Sequence, residues 1–467
     1  MKYDVIVIGA GSGGLNIASF MNKAGFKVLL VDKTDKNIGG DCLNFGCVPS
    51  KALIHAARIV HHSRLAREFG VRTLGNADIK KVKAYVKSKQ EKIRVHENAE
   101  YFRSLGIDVE LGEAEFAGKN SIVVNGKVCS AKKIVIATGS RPRQLSLPGI
   151  EKVKHIYTNE TIFDIDFLPK RLVVIGGGPI GVELGQAFSR LGSEVSIVQR
   201  GPQFLPKEAP EIAEVLHNAL AKEGVKIFLN CSPKRFEKNT LIADTPKGER
   251  KLQFDAVLVA IGRVLNIPRG LERAGIELTE DKRKIKVDPY LRTTNKNVYA
   301  CGDVAGSYQF THAAELHAKI ILSNFFSPIK KKLSYDKFAW VTFTSPEIAT
   351  FGLRERELQK KNKNYVKIVQ DFGEIDRAIT DGNQGRLVLF VSNNKILGGS
   401  LVAENAGEIA QELILAMSSE LHVKKIFDKV YPYPTASRVN RKAVTQLFAN
   451  KLTPFAKKVL RFLYNLG

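Results

Sequence analysis

The feature that most restricts this chain is a strand, glycine turn, helix and strand unit that occurs twice. In the first copy the apolar run DVIVI meets Gly9-Ala10-Gly11-Ser12-Gly13-Gly14. A helical stretch then runs to Ala24, and a second apolar run ends at Asp32. In the second copy RLVVI leads into Gly176, Gly178 and Gly181, and its following strand ends at Gln199-Arg200. Gly9 to Asp32 and Gly176 to Gln199 both span 23 positions. Each copy later meets another apolar strand ending in glycine, KIVIATGS at Gly139 and AVLVAIGR at Gly262. A single unit of this kind arises readily from structural glycine turns; two with equal spacing point to tandem dinucleotide-binding folds. In each, the first glycine allows the tight turn, the second admits a pyrophosphate to the backbone, and the third lets helix and strand pack closely. The helix N-terminus offers unpaired N–H groups to the phosphates, and Asp32 is placed to accept both ribose hydroxyls.

At 467 residues the chain has room for about three domains. The reading is α/β: two tandem Rossmann-like domains followed by an α+β C-terminal domain. The first covers 1–148 and is completed by 266–335, the second covers 149–265, the third 336–450, and a basic amphipathic tail closes the chain at 451–467. A hydrophobic content of 44% with 25% charged residues excludes disorder, and no apolar run approaches the roughly 18 residues of a membrane span. The N-terminus reads as the first strand rather than a signal peptide, so a cytoplasmic protein is expected. The net charge of +25 attracts anions without specificity; it reads as a solubilising bias, with no specific nucleic acid expected.

Gly9 to Gly139 spans 130 residues and Gly176 to Gly262 spans 86, so the first copy carries about 44 extra. The segment Gly39-Gly40-Asp41-Cys42-Leu43-Asn44-Phe45-Gly46-Cys47-Val48-Pro49-Ser50-Lys51 and a basic helical stretch to about residue 104 occupy that insertion, at the sheet edge where ligands bind. Two cysteines five apart, before a helix opening with Pro49, can approach to disulfide distance. The helix dipole and Lys51 lower a thiol pKa there. No second Cys/His pair has zinc-like spacing, so no metal site is expected. Cys129, Cys231 and Cys301 are too scattered for a framework. A later strand-like run, NVYACGDVAG, ends at Gly302-Asp303, where the acid either holds the first cofactor or caps a turn. A helix starting near Thr311 follows.

GGDCLNFGCVPSK, the two glycine fingerprints, ATGS and ACGD resemble the flavoprotein disulfide reductases, which include dihydrolipoamide dehydrogenase, glutathione reductase and mercuric reductase. The resemblance covers nearly the whole chain. It implies FAD in the first domain and NAD(P)H in the second, with electrons passing from nicotinamide through flavin to a Cys42–Cys47 disulfide and on to a small-molecule or metal-ion acceptor. Cys47 is then the thiol against the flavin and Cys42 the exposed thiol that exchanges with substrate. Lys51 lies near flavin N5 and pairs with Glu183. Implied cofactor contacts are Gly9, Gly11, Gly14, Asp32, Lys33, Gly40, Asp41, Lys51, Ala114, Thr138, Gly139, Ser140, Asp303 and Thr311 for FAD. For the nicotinamide nucleotide they are Gly176, Gly178, Ile180, Gly181, Gln199, Arg200, Gly262 and Arg263. Gln199-Arg200, standing where an NAD site has an acid, favours NADPH over NADH.

The same resemblance implies a homodimer whose third domain lends a His-Glu pair to the partner's disulfide. Here Tyr433 stands at the histidine position and Arg438 at the glutamate position. Tyrosine, with an ordinary pKa of about 10, is a poor proton shuttle near neutrality. This leans away from lipoamide or glutathione disulfide and toward metal-ion or quinone reduction, with a dihydrolipoamide dehydrogenase proper, or a non-catalytic flavin-fold protein on anionic surfaces, as the competing readings. In the tail, Lys451, Lys457, Lys458 and Arg461 interleave with Leu452, Phe455, Val459, Leu460, Phe462 and Leu463. That pattern suits either docking on the dimer or weak contact with anionic membrane at the inner face.

Overall fold

The strand Lys2–Ile8 ends in the unbroken apolar run from Val5 to Ile8, and in the computed structural model its Val5, Ile6 and Val7 are fully buried. Burial on both faces is what a central parallel strand requires. The structure describes residues 1–73, 75–306, 308–449 and 453–466. They form two compact units, Met1–Arg200 with Cys231–Leu333, and Gly201–Asn230 with Ser334–Gly467.

In the first unit Lys2–Ile8 sits between Val28–Asp32 and Lys127–Ile136, parallel to both. Asp108–Leu111 extends one side, Val298–Ala300 pairs in parallel with Lys127–Ile136, and the antiparallel strands Glu115–Gly118 and Ser121–Val124 complete the seven-stranded sheet. A second parallel sheet places Arg171–Ile175 between Glu194–Val198 and Ala256–Val259. The repeat read from the sequence is reproduced bond for bond. Gly9 N donates to Val31 O at 2.7 Å and Gly176 N to Val198 O at 2.9 Å. Ala137 N donates to Ile8 O at 2.7 Å and Ala260 N to Ile175 O at 2.8 Å. Gly9 (φ +107°) and Gly176 (φ +116°) have backbones that L side chains rarely adopt.

The extra segment of the first copy is helical, with Cys47–Leu65, Ile79–Arg94 and Ala99–Ser104. The first of these begins at Cys47 and not at Pro49, because Gly46 takes the N-cap position. Proline is tolerated anywhere in the first turn, where its missing N–H has no intrahelical partner. This helix packs along Pro179–Leu191 of the second fingerprint.

The second unit is built on a five-stranded antiparallel sheet, in the order Ala339–Thr342, Glu347–Gly352, Lys395–Ala403, Arg386–Ser392 and Val366–Asp371. Its core joins Phe351, Leu389 and Leu401 to Leu413, Val439 and Val444 from the helices Gln411–Ser418 and Arg438–Ala449. No helix among the described residues is long and apolar enough to cross a membrane.

Candidate active site

All but one of the candidate catalytic residues converge in the first unit. Cys42 is the third residue of the short helix Gly40–Asn44, and Cys47 is the first of the long helix that follows. Both are free thiols, and their sulfurs share a hydrogen bond. Cys47 is exposed and Cys42 half-buried on the protein surface.

Several groups stabilise negative charge on Cys47. Its pKa is lowered to about 6, first by the hydrogen bond from Cys42, then by Thr311 and Lys51, against burial and Asp41. The Thr311 hydroxyl lies 3.2 Å from the Cys47 sulfur and opens the helix Thr311–Phe326. The helix that Cys47 begins has no side-chain cap and no acid in its first turn, so its positive end faces the thiolate uncancelled. Cys42 is pushed the other way, first because it is the donor to Cys47, then by burial. The two thiols are thus pushed in opposite directions, Cys47 toward the thiolate and Cys42 toward the thiol.

Lys51, one turn along, pairs with Glu183 at 2.8 Å. Glu183 is buried on Pro179–Leu191, on a helix face that also buries Gln186 and Arg190. The loop carrying the cysteines is clamped by the inserted helix Ile79–Arg94. Gln90 donates to the carbonyls of Leu43 (2.9 Å) and Asn44 (3.0 Å), and Arg94 donates to Asn44 Oδ1 at 2.5 Å.

Arg263 gathers a second cluster. It donates to Asp41 at 2.9 Å, to Ser140 Oγ at 2.6 Å and to the Ser140 carbonyl at 2.8 Å, and lies 3.8 Å from Asp303. Ser140 Oγ donates to Asp303 at 2.5 Å. Asp303 is mostly buried, and burial raises its pKa. It is therefore a partnered acid of a polar network and not merely a turn cap. Asn159, which no motif marked, joins through Asp41 (3.4 Å) and the Phe45 carbonyl (3.3 Å). Thr138 donates to the carbonyl of Asn266, likewise unmarked.

The fingerprints have the features of dinucleotide cradles. The helix Ser12–Lys23 follows an N-cap glycine and has no capping side chain and no acid in its first turn; Pro179–Leu191 is the same. A β-carbon on Gly40 would fall 2.6 Å from the Gly11 α-carbon, so the two glycine loops meet with no side chain between them. A β-carbon on Gly14 or Gly181 would collide with the carbonyl of Gly9 or Gly176, as the packing role of the third glycine demands. Asp32 accepts from Ala10 N (2.6 Å) and Lys33 N (2.7 Å). Both oxygens thus already hold the turn and retain lone pairs for a ribose. Gln199 repeats this bond in the second copy, accepting from Gly177 N at 3.0 Å. Arg200 beside it is exposed, as are Gly262 and the ion pair of Lys33 with Glu113, whereas Ala114 and Ile180 are half-buried. Lys33 is thus engaged by a carboxylate. The residues fit FAD in the first copy and a nicotinamide nucleotide in the second.

Tyr433 and Arg438 belong to the other unit. Tyr433 is exposed, and the Arg438 guanidinium stands 5.2 Å from its ring. Two residues earlier, Tyr431 is buried and donates to Glu412 at 2.7 Å. Among the described residues no three His, Cys, Asp or Glu side chains are grouped to hold a metal ion.

Comparison with known proteins covers most of the chain. A family profile described as pyridine nucleotide-disulphide oxidoreductase covers residues 3–318, and one for the dimerisation domain of the same family covers 338–444. A mercuric reductase from Lysinibacillus sphaericus is 33% identical over 443 residues, 93% of this chain and 80% of its own. A dihydrolipoyl dehydrogenase from Mycoplasma genitalium is 33% identical over 466 residues, 96% of this chain and 100% of its own. Among solved structures, the Cu(II) complex of the HOCl-induced flavoprotein disulfide reductase RclA from Escherichia coli superposes with a TM-score of 0.82. It is 27% identical and covers 96% of this chain and 99% of that one.

Proposed function

The chain belongs to the pyridine nucleotide-disulphide oxidoreductases, and on that premise we propose that it is an NADPH-dependent flavoprotein whose Cys42–Cys47 pair passes electrons to a thiophilic metal ion. Membership makes it an oxidoreductase of a family that binds FAD and NAD(P)H, which sets aside a non-catalytic role, and its dimerisation domain makes it a homodimer. In this reading FAD lies on the first fingerprint with Asp32, Thr138, Ser140 and Asp303, and the nicotinamide nucleotide on the second. The flavin supplies the two-electron relay between nicotinamide and sulfur. The protein's own part is to keep donor, ring and thiols in line. Lys51 is held by Glu183, Thr311 holds Cys47, and Arg263 holds Asp303 and Asp41 together.

The observation that carries the reading is the thiol pair itself: a stabilised Cys47 thiolate hydrogen-bonded to a protonated neighbour at the start of a helix. The acceptor preference rests on Tyr433 and Arg438 replacing the acid–base dyad, and on likeness to a mercuric reductase and to a reductase solved with Cu(II). The preference for NADPH rests on Gln199, a neutral side chain where an NAD site carries an acid, and on Arg200, exposed beside it. A charge-assisted bond to a 2′-phosphate contributes about 1.5–3 kcal/mol. NADPH is therefore expected to exceed NADH in kcat/KM by roughly tenfold or more, and Arg200→Asp to abolish the difference. With NADPH, Hg(II) and Cu(II) are expected to turn over faster than lipoamide, glutathione disulfide or quinones. Rapid lipoamide reduction, or an NADH preference, overturns the corresponding half of the reading.

The tail supports a further placement at an anionic membrane. Thr453 caps the helix Pro454–Tyr464 by accepting from Ala456 N at 3.2 Å, and Phe455, Val459, Leu460, Phe462 and Leu463 are all exposed on it. At 100° per residue, Phe455, Val459, Phe462 and Leu463 share one face, while Lys457 and Arg461 lie opposite and Lys458 flanks it. Lys451 and Leu452 lie outside the described residues. Sedimentation with acidic lipid vesicles, lost on truncation after residue 449, is the expected result; equal sedimentation of both forms contradicts it.

A further inference from the structure

The chain leaves the seven-stranded sheet after Ala300 and passes through Cys301 into the single turn Gly302–Ala305, which carries Asp303. Gly302 is buried with a left-handed backbone (φ +76°), and a buried main-chain N–H requires an acceptor. It finds one in a side chain. Gly302 N donates to Nδ1 of His317 at 3.0 Å, and His317 is fully buried on the helix Thr311–Phe326. A ring nitrogen that accepts carries no proton, so this imidazole is neutral, with its proton on Nε2. Burial acts in the same direction, holding the His317 pKa down to about 4.

The helix Thr311–Phe326 touches two parts of the site. Thr311, its first residue, lies 3.2 Å from the Cys47 sulfur, and six positions later His317 holds the residue before Asp303. Between them, the carbonyl of Ala314 accepts from Cys301 Sγ at 3.5 Å, and a β-carbon on Gly302 would stand 3.2 Å from that of Ala314. A β-carbon on Gly13, in the first fingerprint helix, would fall 2.6 Å from the Cys301 sulfur. The fingerprint helix, the turn and the helix of His317 therefore meet just where the chain turns to present Asp303.

We propose that His317 is a positioning residue for the flavin site: by accepting from Gly302 it fixes the main chain from which Asp303 meets bound FAD. Ser140 and Arg263 orient the Asp303 carboxylate from its far end; His317 orients the backbone that carries it. The ring exchanges no proton in this role. An apolar side chain of similar size would fill its place but leave the Gly302 N–H buried and unpaired, which destabilises this conformation of the turn.

The inference rests on the reading that Asp303 holds FAD, and its test separates the two. Holoprotein is diluted into flavin-free buffer, and release of FAD is followed by the rise of its fluorescence. His317→Leu keeps the bulk without the acceptor; it is expected to release FAD at least tenfold faster and to alter the visible circular dichroism of the bound flavin. His317→Asn places an amide oxygen as many bonds from the main chain as Nδ1. It is expected to restore most of the release rate and of the spectrum, although it leaves more empty volume than leucine. A role in packing alone predicts the opposite ranking. Release from His317→Leu at the wild-type rate overturns the role of His317. So does an asparagine variant no better than leucine, a variant that fails to fold counting as no better. Asp303→Asn is expected to release FAD faster as well; wild-type retention by that variant contradicts the reading beneath.

Discussion

Replacing Cys47 with serine is expected to reduce acceptor turnover by at least about a thousandfold, roughly 4 kcal/mol of barrier. Bleaching of the bound flavin by NADPH is expected to survive. Cys42→Ser should be as damaging to turnover, because a relay through two sulfurs fails when either is lost. The two variants differ in a way that tests the electrostatics. Cys47 ionises at about 6 in the intact pair, chiefly through the bond from Cys42 and then through Thr311 and Lys51. Only the thiolate is nucleophilic, so alkylation of Cys47 in the reduced protein is expected to be slow below pH 6 and to level off above it. Cys42→Ala removes the largest of these stabilising groups and is expected to carry that midpoint upward. Lys51→Met is expected to move it the same way by a smaller amount. A Cys47 midpoint near that of an ordinary thiol contradicts the assigned geometry.

The second large effect concerns Arg263. Its side chain is only 7% exposed, and it faces Asp41 and Asp303 with Ser140 between. Removing one partner from a buried charged cluster leaves the others uncompensated and typically costs about 3–5 kcal/mol. Arg263→Met is therefore expected to lower stability by that order and to weaken FAD retention. The pH dependence has a definite sign. Burial holds the Asp303 pKa above its ordinary 3.8, so the folded state binds this proton more tightly than the unfolded chain. The stability linked to it is present below 3.8 and is lost as pH rises through the raised folded value. Without Arg263 that value rises further, so the deficit of the variant is expected to be larger at pH 8 than at pH 5 in thermal unfolding. An unchanged unfolding temperature contradicts the network.

Much of the architecture could be read from residue order because the strongest signals were local. Glycines at these intervals signal a turn, and Asp32 and Gln199, equally spaced from their first glycines, make equivalent bonds to the backbone of Ala10 and Gly177, which no sequence signal foretold. The Lys51–Glu183 pair, 132 positions apart, came only with the family resemblance. What stayed hidden depends on partners distant in sequence with no motif around them. Asn159 and Asn266 sit in loops, and their roles arise only when those loops meet the cysteine segment and Thr138.

The most direct test is to reduce the oxidised holoprotein anaerobically with one equivalent of NADPH, alkylate it at once, and count modified cysteines by mass spectrometry. Uptake of label at Cys42 and Cys47 together, with the buried Cys129, Cys231 and Cys301 unlabelled, is the predicted result. A flavin that is reduced while Cys42 and Cys47 show no more label than before NADPH was added would contradict it.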